Sequence, residues 1–231
     1  MKYIENEFFL LALTFAVYYL ASLLHKKSGW IILNPILITI AVIITFLKLF
    51  GVTLESYNSG GKYIEFWLKP AIVALGVPLY LQLETIRKQF VPIFLSQLAG
   101  CIVGIISVVS ISKAMGATKE VILSLAPKSV TTPIAIEVSN SIGGIPSLTA
   151  AVVIFVGILG AVIGYKTMSI VHVRGTVSQG LSMGAAAHAV GTSASMSISK
   201  EHGAYATLGL ILNGILTSFF TPVILHLMGI L

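Results

Sequence analysis

The chain contains no aspartate; all eight of its acidic residues are glutamate, and charged residues make up only 10% of the 231 positions. The missing aspartate removes the commonest carboxylate of ion-pumping sites and any Ser-His-Asp triad. Cysteine is scarce as well: Cys101 is the only one, and it lies in an apolar run. An internal disulfide is therefore excluded, and a small packed side chain is expected there. No Walker A, G-x-G-x-x-G or H-E-x-x-H pattern occurs, so nothing marks ATP-driven transport, a nucleotide cofactor or a zinc enzyme. The five histidines show no ligand spacing with cysteine or carboxylate, so neither a metal nor another cofactor is expected. No credible nucleophile and base pair up, so the chain is not expected to be an enzyme.

Apolar residues are abundant instead. They make up 56% of the chain, and mean hydropathy is +0.99. A soluble domain would carry about 45–50% apolar and about 25% charged residues. Several runs approach or exceed the roughly 17–20 residues that span a bilayer. The fold class expected is therefore an all-α polytopic membrane protein in contact with membrane lipids. The net charge of +6 does not point to nucleic acid. Lysine and arginine sit at the ends of apolar runs, as Lys26, Lys27, Arg87, Lys88, Lys113, Lys119, Lys166 and Arg174 do, and that is how membrane helices are flanked. The run from Phe8 to Leu24 ends in His25-Lys26-Lys27 rather than a small-residue cleavage site. It reads as a retained first membrane helix.

The hydropathy pattern divides the chain into eight membrane elements, roughly 8–24, 31–49, 66–86, 90–112, 119–141, 147–167, 176–197 and 204–229. The longest gap, 51–63, is polar and Gly-rich and is expected to be a loop. Nothing resembles an interdomain linker, so one domain is expected over 1–231. Two halves, about 1–116 and 117–231, are weakly similar at an offset of 111–113 residues. Pro35 falls on Pro146, Pro78 on Gly191, and the run ending in Gly116 on the run ending in Gly229. Internal repeats of this kind are a transporter signature.

The expected helix breaks are Pro35, Pro78, Pro127, Pro133 and Gly191. Proline removes a backbone donor and clashes with the preceding turn. In lipid, a freed carbonyl costs several kcal/mol unless protein or water satisfies it. Interrupted segments in two halves therefore point to a protected polar site, although one proline alone more often just kinks a packed helix. Charge placement favours element 119–141 dipping in and returning, which would make the two halves inverted repeats.

One short stretch, A126-P-K-S-V-T-T-P-I-A135, sits between apolar runs and carries the chemistry. A lysine near mid-bilayer costs about 2.5–3.5 kcal/mol on insertion scales. An anionic ligand, a carboxylate or cavity water would offset this for Lys128. The hydroxyls of Ser129, Thr131 and Thr132, with free amides at a half-helix start, would complete a donor-rich pocket. The alternative is that Lys128 snorkels to an interface and the hydroxyls cap a helix. Glu137 either pairs with Lys128, carries a proton, or sits at headgroup level. His188, beside the Gly191 break and near Thr192, either gates or carries a proton, or is a satisfied bundle histidine. Three G-x-x-x-G patterns, starting at Gly100, Gly160 and Gly180, support close helix packing.

Three strings, "LAPKSVTTPIA" from Leu125, "SIGGIPSLTA" from Ser141 and "GAAAHAVGT" from Gly184, together with "LNPIL" around Asn34 and "VPLY" ending at Tyr80, resemble the LrgB/CidB family of bacterial membrane proteins. That family includes YohK-like inner-membrane proteins and the second half of a plastid glycolate/glycerate transporter. The resemblance spans essentially the full length. It implies a multi-pass protein of the bacterial cytoplasmic membrane, acting with a smaller LrgA/CidA-like membrane partner, and a homo-oligomer is expected. Two functions follow from it. One is transport of small carboxylates such as glycolate, glycerate or pyruvate. The other is antiholin-like modulation of murein hydrolase activity and autolysis. On the transport reading, the substrate-binding residues are Lys128, Ser129, Thr131, Thr132, His188 and Thr192, with Asn34, Pro35, Pro78 and Tyr80 as a facing wall.

Overall fold

A computed structural model of the chain describes residues 5–28, 33, 35–74, 76–81 and 83–231. Most of the described residues are helical, with no strand among them, and the chain is a polytopic membrane protein. Among the described residues, four helices are long and apolar enough to cross a bilayer: α1 (Glu7–Ser28), α6 (Phe90–Ala114), α9 (Pro146–Ile170) and α11 (Lys200–Leu227). Between them lie α2 (Pro35–Phe50), α3 (Leu54–Ala74), α4 (Gly76–Leu81), α5 (Leu83–Lys88), α7 (Lys119–Leu125), α8 (Thr132–Ser141) and α10 (Thr176–Ile198). Large apolar side chains such as Val103, Phe155, Ile215 and Phe219 remain exposed on the spanning helices. That is the surface a lipid-facing helix presents.

The chain forms two compact units, Met1–Ala74 and Leu75–Leu231. In the first unit, α1 packs on α2 and α3. Asn6 opens α1 by accepting from the Phe8 amide at 2.9 Å, the N-cap role of a short amide side chain. The segment 51–63, expected as a loop, is helical from Leu54 onward. Thr53 caps it, its Oγ1 accepting from the Ser56 amide at 3.1 Å. Contacts with α1 then hold it. Lys62 pairs with Glu7 at 2.8 Å, Tyr63 donates to the same carboxylate at 3.0 Å, and Thr14 meets Tyr57 at 3.1 Å. Gly60 lets the backbones touch, since a Cβ there would lie 2.5 Å from the Glu7 carbonyl oxygen. Composition reads such a polar helix as a loop because tertiary contacts, not propensity, stabilise it.

In the second unit, α10 packs against α11 on one side and α9 on the other. Glycines set both approaches. Gly180 and Gly184 face Tyr205 and Ala206 of α11, while Gly157, Gly160 and Gly164 of α9 face His188, Ala187 and Met183. Two of the three G-x-x-x-G patterns are therefore helix-packing surfaces. The third is not: a Cβ at Gly100 or Gly104 would meet nothing within 4 Å. Cys101, Ile105 and Val109 of α6 join Ile122, Leu123, Val138, Leu216 and Leu225 in the largest buried cluster.

Element 119–141 does not form one helix. It splits into α7 and α8 around a non-helical stretch in which Pro127 and Val130 are fully buried. The chain then comes back on itself. Ile145 donates its amide to Ser124 Oγ at 2.7 Å, and Thr149 Oγ1 lies 2.7 Å from Ser139 Oγ and 3.0 Å from the Ser124 carbonyl. Residues 125–144 thus form a stretch whose two ends meet. Its covering by protein is what permits irregular backbone there.

Matched helix ends recur at the repeat offset. Pro35 opens α2 and Pro146 opens α9, the helix position where proline loses no bond. Both α6 and α11 close through a Met-Gly pair with the glycine at positive φ, 75° at Gly116 and 65° at Gly229. In each the following amide reaches five residues back, Ala117 to Ser112 and Ile230 to Leu225, both at 3.0 Å. This is the Schellman closure that glycine allows.

Candidate functional site

A cavity of about 400 Å³ lies within the second unit, at the lower end of the size range of small-ligand sites. Four parts of the chain wall it. The 126–131 break contributes Ala126, Lys128 and Ser129, and α6 contributes Gln97, Gly100, Cys101 and Gly104. Helix α10 adds Ser178, Ser182 and Ala185, and α11 adds Asn213 and Thr217.

Among the described lining residues, Lys128 alone carries a formal charge. It is half-buried, and its ammonium donates to Ser129 Oγ at 3.1 Å. Among the described residues it forms no ion pair; the ion pairs there are Lys62–Glu7 and Lys88–Glu84. The break explains its placement. Pro127 and Val130 are buried on either side, so the intervening backbone is pinned and the lysine is turned to the open side. A cation in a neutral, partly desolvated hollow attracts anions and repels cations.

Asn213 fixes the backbone around that cation. Its side-chain amide donates to the Ser129 carbonyl at 2.9 Å and to the Ala185 carbonyl at 3.0 Å. It is 2% exposed. Cys101 Sγ and Thr217 Oγ1 lie 3.4 Å apart across the α6–α11 wall. Gln97, 5% exposed, has a side-chain oxygen with no hydrogen-bond partner.

The other residues singled out in the sequence lie elsewhere. Thr131 is the N-cap residue of α8 without a side-chain capping bond, and Thr132 and Pro133 form that helix's first turn. None of the three lines the cavity. Glu137 is exposed on α8 and does not pair with Lys128. His188 marks a break in α10, with φ 42° and ψ −131°. The discontinuity thus sits three residues before Gly191. The His188 ring turns to α9, where Nε2 donates to the Val153 carbonyl at 2.9 Å in the space left by Gly157. Thr192 Oγ1 returns to the His188 carbonyl at 2.9 Å. Both are buried, on a different face from the cavity lining. Pro78 is the third residue of α4, and Tyr80 of that helix is 74% exposed. Pro35 lies in the first unit, and Asn34 lies outside the described residues.

Sequence reasoning missed Gln97, Asn213 and Thr217. A lone amide inside an apolar run was the available signal, in F94-L-S-Q-L-A-G100 and again in G209-L-I-L-N-G214. Polar side chains within membrane helices face protein or cavity rather than lipid.

A family model for the LrgB-like family matches residues 14–227. The chain belongs to this family. Relatives match it along nearly their whole length. The protein YxaC of Bacillus subtilis (strain 168) is 36% identical over 221 residues, 96% of each chain. The holin-like protein CidB of Staphylococcus aureus (strain Mu50 / ATCC 700699) is 34% identical over 218 residues, 94% of this chain and 95% of the relative. The antiholin-like protein LrgB of Bacillus cereus (strain B4264) is 32% identical over 225 residues, 97% of this chain and 98% of the relative. No solved structure matches. Bacterial relatives and the apolar helices together make this LrgB-like chain a multi-pass protein of a bacterial membrane.

Proposed function

We propose that this LrgB-like protein transports small carboxylates of the glycolate, glycerate and pyruvate kind across the bacterial cytoplasmic membrane. One observation carries the reading: Lys128 stands half-buried in a cavity of about 400 Å³ and has no carboxylate partner among the described residues. A buried cation without a counter-ion favours a ligand that supplies one. The ammonium would take the carboxylate, and the Ser129 hydroxyl would bond one of its oxygens. The cavity lies beside two interrupted helical segments, the 126–131 break and the α10 kink, the setting in which transporters place cargo. His188 and Glu137 are the candidate proton carriers if flux is proton-coupled. An inverted relation between the two halves, a homo-oligomer and an LrgA/CidA-like partner belong to the same reading. No covalent chemistry is assigned to the site.

The names of two relatives, holin-like and antiholin-like, favour a second reading. On it, the protein modulates murein hydrolase activity and autolysis without moving cargo, and the cavity has no required occupant. Uptake of labelled glycolate or pyruvate into proteoliposomes separates the two. The transport reading expects uptake above that of empty vesicles, by the chain alone or with its small membrane partner. No uptake in either arrangement overturns it.

A further inference from the structure

Helix α10 does not run straight through its unit. A Cβ on Gly191 would lie 2.4 Å from the Met183 carbonyl oxygen and 2.7 Å from the Ala187 Cβ, whereas a straight helix sets residues eight apart at about 12 Å. The chain therefore reverses at His188, and α10 is a hairpin of two arms. Its two ends meet. Gln179 donates to the Val173 carbonyl at 2.8 Å and presents its Oε1 to His202 Nε2 at 3.2 Å, while His202 Nδ1 meets Ser199 Oγ at 2.8 Å.

The first arm runs parallel to α6 and α11. At the hairpin base, Val177 and Leu181 pack with Ile93 near the start of α6 and Tyr205 near the start of α11. At the opposite end, Val109 of α6 packs with Leu225 and Ile230. The Lys128 cavity lies between these ends. On the base side it is lined by Ser178 and Ser182 of the first arm and Ser96 of α6, all exposed. Asn213 bonds both Ala185 and Ser129, so the lysine level lies about 10 Å deeper than Ser178, two helical turns. Beyond it, the buried cluster containing Ile105, Leu123 and Leu216 closes the way. Charge distinguishes the two ends. Arg87, Lys88, Lys166, Arg174 and Lys200 lie towards the hairpin base, against Lys113 and Lys119 at the other end. Positive residues concentrate on the cytoplasmic side of a membrane protein.

We propose that α10 enters the membrane from the cytoplasmic side and returns to it, and that Ser178 and Ser182 on its first arm line the cytoplasmic entrance to the Lys128 cavity. Hydroxyls leading to a cation belong to a water-filled route rather than a lipid-facing surface. In this arrangement the cavity is open to the cytoplasm and sealed from the outer face. That the route carries a carboxylate rests on the reading above; its sidedness does not.

Thiol labelling in membrane vesicles tests this. Cys101→Ser first removes the native thiol. On that background, Ser178→Cys and Ser182→Cys are each treated with a membrane-impermeant maleimide in inside-out and right-side-out vesicles. Glu201→Cys marks the hairpin base, and Glu120→Cys marks the opposite end. Both serine positions and Glu201→Cys are expected to label in inside-out vesicles only, and Glu120→Cys in right-side-out vesicles only. Labelled Ser182→Cys protein should lose glycolate uptake in proteoliposomes. Either serine position serves if the other variant does not fold. Labelling of the serine positions from the outer face, from both faces, or from neither while Glu201→Cys labels overturns the proposal. If they label from the cytoplasm but the protein takes up no carboxylate, the entrance stands and the carboxylate reading alone fails.

Discussion

Asn213 of α11 donates to the Ser129 carbonyl at 2.9 Å, and its second proton reaches the Ala185 carbonyl at 3.0 Å. Ser129 lies in the break between α7 and α8, and Ala185 lies three residues before the kink in α10. One buried side chain therefore ties together the two interrupted elements that flank the cavity. Asn213→Leu removes both bonds and leaves two carbonyls without this donor, at a cost of about 2–4 kcal/mol. The thermal midpoint in detergent should drop by several degrees. An unchanged midpoint would show that water or another donor satisfies these carbonyls.

The glycines of α6 and α10 belong to the same sequence pattern but should respond oppositely. A Cβ on Gly184 would collide with the Ala206 carbonyl, whereas one on Gly104 meets open space. Gly184→Ala should destabilise by about 3 kcal/mol through overpacking of backbone on backbone. Gly104→Ala should be neutral or stabilising by up to about 1 kcal/mol, from helix propensity alone. It should still reduce carboxylate binding, because the new methyl enters the cavity. Chemical or thermal denaturation of the two variants side by side decides this; equal stability losses would contradict the packing assignment.

His188 adopts φ 42° inside a helix, a strained conformation for a residue with a side chain, costing about 1–3 kcal/mol. The bond from Nε2 to the Val153 carbonyl at 2.9 Å offsets part of that. Both His188→Ala and His188→Gly lose the bond, but only glycine relieves the strain. The glycine variant should therefore be the more stable of the two by about 1 kcal/mol. This reverses the usual order within a helix, where alanine exceeds glycine by about the same amount. An alanine variant more stable than the glycine variant would mean that α10 straightens when the histidine is removed.

Much of the fold was legible in hydropathy, because α1, α2, α6, α9 and α11 are continuous apolar helices. The 126–131 break was legible too, since two prolines and a lysine cannot extend a lipid-buried helix. The helical character of 54–63 was not, because Lys62–Glu7 and the Gly60 contact hold it, and partners 55 residues apart leave no local pattern. The α10 break was expected at Gly191, where glycine marks it. It occurs at His188, whose strain is compensated from α9, and no neighbouring residue announces that. For the candidate site, Lys128 and Ser129 stood out as a polar cluster. Gln97 and Asn213 did not, because a single amide in an apolar run carries no motif and gains meaning only from what it faces.

Carboxylate recognition at this cavity rests on Lys128. Lys128→Met removes the cavity's charge while keeping an unbranched side chain one atom shorter. Because the ammonium has no carboxylate partner among the described residues, its loss should leave the thermal midpoint unchanged or raise it. The decisive measurement is initial uptake of labelled glycolate into proteoliposomes by wild-type and Lys128→Met protein at matched amounts. Uptake by wild-type protein is expected, with at least about a tenfold loss in the folded variant, the equivalent of one charge-assisted hydrogen bond. Equal uptake by the two proteins would contradict it.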